Sequence, residues 1–415
     1  MASRSFAGWW GMSKWLMARL GDVFSLIRNG ASIKQGEIEG GYPITRIETI
    51  SDQYVDRKRM GYAGINDITK FREYILEDND ILMSHINSPK HLGKAALFKR
   101  KEKEIIIHGM NLLILRTRAD MMDAAYALLY FKTFNFKKQL SKITKDSVNQ
   151  SSFSITGLKE IIIPLPPLDE QKRIATMLDK AQSLIDLRKK QIAEMDALVR
   201  AKFIDIFGDP VKNEKGWASS KLKEIAKLIQ SGNTPKGGKQ VYVDSGILFF
   251  RSQNVWKNRI DLTDIAFIDE KTHKKMIKTR LKNKDILITK TGRFNTENSS
   301  LGRAALFLGE DDTANINGHV YLVRLKEGIV HEFVLYILIT DEYRDYIRNV
   351  CVGGIDKRQI NKEHLEEFPI LIPPLELQNL FADFVRRVDK TKLAKQKSLE
   401  QMESLYNALM QRAFG

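Results

Sequence analysis

The chain has 415 residues, 43% hydrophobic and 28% charged, a balance that excludes a disordered or fibrous protein and favours two to four domains. Its formal charge of +16 points to a polyanionic partner, with nucleic acid ahead of an acidic membrane surface. The single cysteine, Cys351, excludes a disulfide framework or a cysteine-rich zinc site within the chain and fits a reducing cytoplasm; no apolar run reaches the ~18 residues of a membrane span.

Residues 1–11 read as a loose N-terminal tail, with Met12 as an alternative start. Over residues 12–157, runs such as "DILMSHI" from Asp80 and "EIIIHGMNLLILRT" from Glu104 predict strands of a mixed sheet, and "DAAYALLYFKTFNFKKQL" from Asp123 predicts a helix. Pro164, Pro166 and Pro167 then hold the chain extended, and Asp169 is the expected N-cap or an acidic first-turn residue of a second helix. Ile174, Met177, Leu178, Ala181, Leu184 and Ile185, followed by Ile192, Met195, Val199, Phe203 and Ile206, recur at helical spacing until Gly208 and Pro210 stop the run. Roughly 37 residues at 1.5 Å each give about 55 Å, too long for an ordinary core helix.

Residues 210–364 repeat the strand-rich pattern in "GILFFRS", "DILITKT" and "GHVYLVRL", with "HEFVLYILITDEYRDYIRN" as a helix. A second long helix follows over 365–415, its stripe carried by Phe381, Val385, Val388, Leu399 and Met402. At an offset of 207, residues 158–209 and 365–415 are copies of one segment: 14 of the 51 pairs from Leu158/Leu365 to Gly208/Gly415 are identical. Weaker matches precede them, with Trp15 and Leu20 against Trp217 and Leu222, Gly30 against Gly232, and "TRIETI" from Thr45 against "FRSQNV" from Phe250. The order is therefore variable domain, long helix, variable domain, long helix. Two amphipathic helices of equal length in one chain predict an intramolecular antiparallel pair; two helices each packed on its own domain is the competing arrangement.

No catalytic constellation emerges. "SGNTPKGGK" from Ser231 lacks the Walker spacing, no aminomethyltransferase-type tetrapeptide occurs, and the seven histidines show no metal-ligand spacing. Three pairs of basic or amide-rich loops recur instead: "RNGASIKQG" with "SGNTPKGGK", "SPKHLGK" with "KTGRFNTENSSLGR", and "KDSVNQSSFSI" with "GGIDKRQI". Glycine admits a phosphate close to the backbone, Lys and Arg neutralise it, and Arg, Asn and Gln pair with base edges. The candidate DNA-binding residues are Lys34, Arg46, Lys90, His91, Lys94, Asn149 and Gln150 in the first half, and Thr234, Lys236, Lys239, Arg251, Asn254, Lys290, Thr291, Arg293, Arg303, Lys357, Arg358 and Gln359 in the second.

These features resemble the specificity subunits of type I restriction-modification systems. The resemblance rests on the "W…L" opening, the Thr-Pro turn in "SGNTPK", the "DILITKTG…GRAALF" segment from Asp285 and the "PPLDEQ" approach to a long helix at Pro166. The second approach, "PPLELQ", has Leu377 in place of Glu170; the first half lacks the Thr-Pro turn and replaces the Thr-Gly loop with "MSHINSPK". The resemblance implies an α+β chain with two pseudo-symmetric target-recognition domains carrying mixed sheets, separated by two long antiparallel helices in a coiled coil. Ile174, Leu178, Ile185, Ile192, Met195, Val199, Phe381, Val385, Val388, Leu399 and Met402 would form the coiled coil or bind partners. It further implies a non-catalytic, cytoplasmic subunit that recognises an asymmetric bipartite site on double-stranded DNA and docks two methyltransferase subunits and motor-nuclease subunits. S-adenosylmethionine, ATP and Mg would sit on those partners, with no cofactor or metal in this chain. The alternatives are a self-contained DNA methyltransferase or nuclease, and a coiled-coil scaffold that binds only protein.

Overall fold

The computed structural model describes residues 15–33, 40–50, 54–147, 150–210, 212–293, 296, 299–354 and 357–415. The chain divides into two compact units, residues 1–189 with 397–415, and residues 190–396. Each is α+β, and each is built on the same four-stranded antiparallel sheet.

In the first unit the strand order is Phe24–Asn29, Leu112–Thr117, Ile81–Ser84, Ala95–Leu97. In the second it is Ala226–Ser231, Val320–Leu325, Ile286–Thr289, Ala304–Leu306. Strand alternation explains the nearly continuous apolar runs. Leu113 and Leu115 face one core cluster while Leu112 and Ile114 face another, and Tyr321 and Val323 are likewise separated from Val320 and Leu322. With both faces covered, the buried positions 112–115 and 320–323 tolerate no polar side chain without a partner.

The run from Glu104 is shorter as a strand than its apolar pattern predicts. Ile107 bridges Ile44 and Ile75, and Asn111 sits at φ 80°, so sheet pairing begins only at Leu112. The two predicted helices of the variable segments are each broken in two, at Thr133 and at Thr340. These hydroxyls accept from Phe136 N–H and Tyr343 N–H and start new helices, Phe134–Ile143 and Asp341–Val350.

The repeated Asp of "DILMS" and "DILIT" has a structural cause. Asp80 is buried and receives Arg116 Nε and Nη2, both at 2.8 Å; Asp285 receives Arg324 Nε at 2.9 Å and Nη2 at 2.7 Å. Each arginine lies on the neighbouring strand, so the bidentate pair clasps the sheet across the same register in both units.

Both long helices are 40 residues, Leu168–Phe207 and Leu375–Phe414. The first starts at Leu168, placing Asp169 within the first turn and leaving Pro167 before it, so Asp169 acts as the acidic first-turn residue and not as the N-cap. The repeated glutamine does the tying. Buried Gln171 donates to Pro166 O at 2.9 Å and Met121 O at 2.9 Å and accepts from Asp123 N–H, and Gln378 donates to Pro373 O at 2.8 Å. Gly208, at φ 78°, ends the first helix as predicted.

Within the second unit, Lys392 reaches Asp196 at 2.6 Å and Lys395 reaches Gln191 at 2.9 Å. One number rises as the other falls, so the helices meet antiparallel there. In the first unit, Lys189 pairs with Glu403 at 2.7 Å, and Ile174 and Leu178 share a core with Ala413 and Phe414. Val199, Phe381 and Val385 are buried in the core of the second unit, and Val388 packs against it. Ile185 is buried, and Ile192, Met195, Leu399 and Met402 are half-buried. The predicted stripe is therefore largely consumed in intrachain packing.

Candidate nucleic-acid interface

The sheet frame brings the predicted loops together. In the second unit the first sheet strand ends at Ser231, and a side chain on Gly232 would collide with the carbonyl of Asn317. Gly30 holds the same place in the first unit, against Gly109 O. Gly232 N–H donates to Val320 O at 2.9 Å, which packs Thr234 beside the loop of Asn317 to His319. His319 O accepts from Lys290 N–H at 2.8 Å, and Lys290 O accepts from Ile360 N–H at 2.9 Å. Thr291–Gly292 then pairs with Arg358–Gln359, which also pairs with Val352–Gly353. One hydrogen-bonded path thus joins the Thr-Pro loop, the Thr-Gly loop and the "DKRQ" loop.

Thr234, Lys236, Arg293, Lys357 and Gln359 are exposed on these loops, and Lys290, Thr291 and Arg358 are half-buried. Lys290 Nζ lies 5.5 Å from the centre of the Tyr321 ring, whose hydroxyl donates to Ile360 O at 3.0 Å. Lys239 is exposed on the 3-10 turn that continues the Thr-Pro loop. This is an array of cations and amides on a stiff backbone, the composition that phosphate and base edges require.

Three other candidates of the second unit serve the frame. Asn254 is 1% exposed; it accepts from Arg251 N–H and donates to Asp261 O and Asp264 O, so its amide is spent inside the turn. Arg251 pairs with Asp264 at 3.0 Å. Arg303 stacks 3.9 Å from the centre of the Trp256 ring and donates to Ser299 O at 2.9 Å, and burial followed by nearby Arg344 lowers its pKa.

The first unit assembles the same loops. Ile86–Asn87 pairs with Gln150–Phe153, itself paired with Thr144–Ser147, and Phe153 N–H donates to His85 O at 3.2 Å. Ala31 N–H donates to His108 O at 2.7 Å. Lys90 and His91 are exposed on the turn Pro89–His91, Gln150 is exposed, and Lys94 is half-buried. Arg46 opens a turn closed by Thr49, as Arg251 opens one closed by Asn254, and its side chain lies over Gly61. Lys34 and Asn149 lie outside the described residues.

The two units also differ at equivalent positions. Where Lys290 stands in the second, the first has His85, 6% exposed, packed edge-on to Phe153 and held below its usual pKa by burial. Sequence reasoning passed over the loops 108–111 and 317–319, which are too short and too weakly charged to stand out. His319 lies among the cations: partial burial, then Lys357 and Lys290, lower its pKa.

The chain matches a model described as the type I restriction modification DNA specificity domain, twice, over residues 12–197 and 214–404. The chain belongs to this specificity family. It is 32% identical to a candidate type I restriction enzyme MjaX specificity subunit of Methanocaldococcus jannaschii, over 95% of this chain and 92% of that protein. It is 26% identical to the MjaVIII specificity subunit of the same organism, over 95% and 91%. Its fold resembles the S subunit of a type I restriction-modification system from M. genitalium, with TM-score 0.59, 16% identity and coverage of 97% and 96%. A chain from a type I R-M complex gives TM-score 0.55, 16% identity and coverage of 98% and 99%.

Specificity subunits are non-catalytic members of complexes that work on DNA with methyltransferase and restriction subunits. Among the described residues no cluster of three or more His, Cys, Asp or Glu is placed to hold a metal, and no helix is long and apolar enough to cross a membrane.

Proposed function

We propose that each unit reads one half of an interrupted, asymmetric site on double-stranded DNA. The observation that carries this reading is the repetition: the same loops converge on the same sheet frame twice, with different side chains at the reading positions. Equal scaffolds imply equivalent docking on DNA, and unequal side chains imply unequal half-sites. Lys236, Lys290 and Lys357 supply phosphate contacts that make affinity fall steeply with salt, while a few base contacts, that of Arg293 among them, worth about 1 to 3 kcal/mol each, give discrimination.

Partner subunits dock on the faces of the long helices that intrachain packing leaves exposed. Leu184, Leu187 and Leu405 in the first unit, and Leu198, Ile204, Leu380 and Leu393 in the second, are all at least 40% exposed. These side chains are apolar area on the long helices that remains for a partner to cover. Two methyltransferase subunits carrying S-adenosylmethionine and motor-nuclease subunits carrying ATP and Mg are the proposed partners, in the cytoplasm.

The test compares the purified chain with and without its methyltransferase partner, on DNA with labelled S-adenosylmethionine. The reading expects methyl transfer only with the partner, and binding that weakens with salt. Methyl transfer by the chain alone would establish a self-contained enzyme, and absent or salt-independent DNA binding even with the partner would favour a protein scaffold. A matched insertion in both long helices is expected to change the number of unread base pairs and leave both half-sites intact.

A further inference from the structure

We propose that the loop tip leading into the second strand of each central sheet, Met110–Asn111 in the first unit and Gly318–His319 in the second, is a specificity-determining element whose base-reading side chains are Asn111 and His319. The inference rests on the reading of each unit as a half-site reader. It adds residues that carry no net charge pattern and that lie outside the basic loops.

Position is the first argument. Asn111 and His319 immediately precede the equivalent strand residues Leu112 and Val320, which pair with Ser84 and lie beside Thr289 in the two sheets. Met110, Asn111 and His319 are exposed, whereas His108, Leu112, Asn317 and Val320 are buried. Each tip therefore stands out from a buried base in the middle of the convergent loops.

Rigidity is the second. In the first unit, Met110 N–H donates to Ala31 O at 3.0 Å and Gly109 N–H to Thr45 Oγ1 at 2.9 Å. His108 Nε2 lies 2.9 Å from Leu112 O, and a carbonyl only accepts, so Nε2 carries the proton and Nδ1 accepts from the Thr45 hydroxyl at 3.3 Å. Burial pushes the His108 pKa down to about 3, so the ring stays neutral and this chain persists. In the second unit the work is done by Asn317: its N–H donates to Phe250 O at 2.9 Å, its carbonyl accepts from Val320 N–H at 3.0 Å, and its side-chain oxygen accepts from His319 N–H at 3.0 Å. Two unrelated sets of bonds fix the same tip, as preorganised recognition requires.

Chemistry is the third. The Asn111 amide offers the adjacent donor and acceptor that match N6 and N7 of adenine. The His319 ring, with Nδ1 3.4 Å from Thr291 Oγ1, has a hydroxyl partner from the Thr-Gly loop. Its neutral form donates one hydrogen bond, suited to the acceptor-rich edge of guanine.

The experiment selects preferred duplexes from a randomised library using the full chain with its methyltransferase partner. It compares wild type with Asn111→Asp, His319→Asn and Arg293→Ala, and with Asn111→Gly, which tolerates the same backbone, as a second variant of the first tip. Each tip variant is expected to change the preferred base at one or two positions of one half-site, with at least a tenfold loss on the original sequence and the other half-site intact. Wild-type motifs from both tip variants, alongside loss of one half-site in Arg293→Ala, would overturn the inference while keeping the half-site reading. A wild-type complex without half-site preference would remove both.

Discussion

The two central sheets share strand order, hydrogen-bond register, a buried Asp–Arg clasp and a glycine at the first loop, yet the segments between their first and second strands in the chain fold differently. In the first unit this segment makes only the ribbon of Pro43–Ile44 with Gly61–Tyr62 among its described strands. In the second it makes the ribbon of Val255–Trp256 with Arg259–Ile260 and supplies Tyr242–Val243, Ala266–Ile268 and Ile247–Phe250 to a further sheet, in which Ile247–Phe250 pairs in parallel with Ala314–Ile316 from later in the chain. Each sheet is constrained on both faces and by a buried carboxylate clasped to an arginine, so its solutions are few. Segments that meet only one face of the core have more freedom, and they carry the differing surfaces.

The largest expected effect lies in what the units share. Removing either buried carboxylate, by Asp80→Ala or Asp285→Ala, takes the bidentate partner from a partly buried arginine and is expected to cost about 3 to 5 kcal/mol, towards the lower end for Asp80 because Arg116 keeps Glu77 at 2.6 Å. Hydrogen exchange resolved by unit checks it; the loss should fall on the unit that carries the substitution, and a cost below about 1 kcal/mol in either would break the equivalence. Next come the reading loops. Arg293→Ala is expected to weaken recognition of a single half-site by about 1 to 3 kcal/mol, and equal relaxation at both would contradict the two-unit assignment.

An effect that is smaller per pH unit separates the units by pH. His108 has a folded pKa of about 3 against a reference of 6.5, and the second unit has Ile316 at the equivalent place. Below pH 6.5 the unfolded chain binds the proton that the folded chain refuses, so stability is full above that pH and is lost as pH falls towards 3, by up to about 1.4 kcal/mol per pH unit. Denaturant unfolding followed against pH should show a shallower acid slope for His108→Gln; an unchanged slope would contradict the buried neutral ring.

The smallest effect concerns the two proline-to-helix junctions. Glu170 pairs with Arg173 at 2.6 Å on an exposed turn, and the second copy replaces both partners together, with Leu377 and Leu380. Converting the first junction to Leu at both positions is expected to change stability by no more than about 0.5 kcal/mol. A loss above about 1 kcal/mol would mean that the pair does more than its exposed geometry suggests.

The repeated long helices, their proline approach and their glycine stop were legible because each rests on local stereochemistry and on two copies in one chain. The central strands were legible as apolar runs, although the start of one was obscured because Ile106 and Ile107 are buried without joining the sheet. The breaks at Thr133 and Thr340 were harder to see, since apolar residues continue on both sides of each cap. At the candidate interface, charge drew attention to Lys290, Arg293 and Lys357, but charge also drew attention to Arg251 and Arg303, which are occupied by Asp264 and Trp256. Asn254 was misplaced because an amide in a turn reads the same whether it faces solvent or ties the turn together. Asn111 and His319 stayed hidden because their importance comes from the sheet that presents them.

The most direct test of the account is methylome sequencing of cells that carry this chain with its methyltransferase partner. The account predicts one adenine-methylated motif made of two unlike half-sites with a gap of unread bases between them. A single uninterrupted motif, or two identical half-sites, would contradict it.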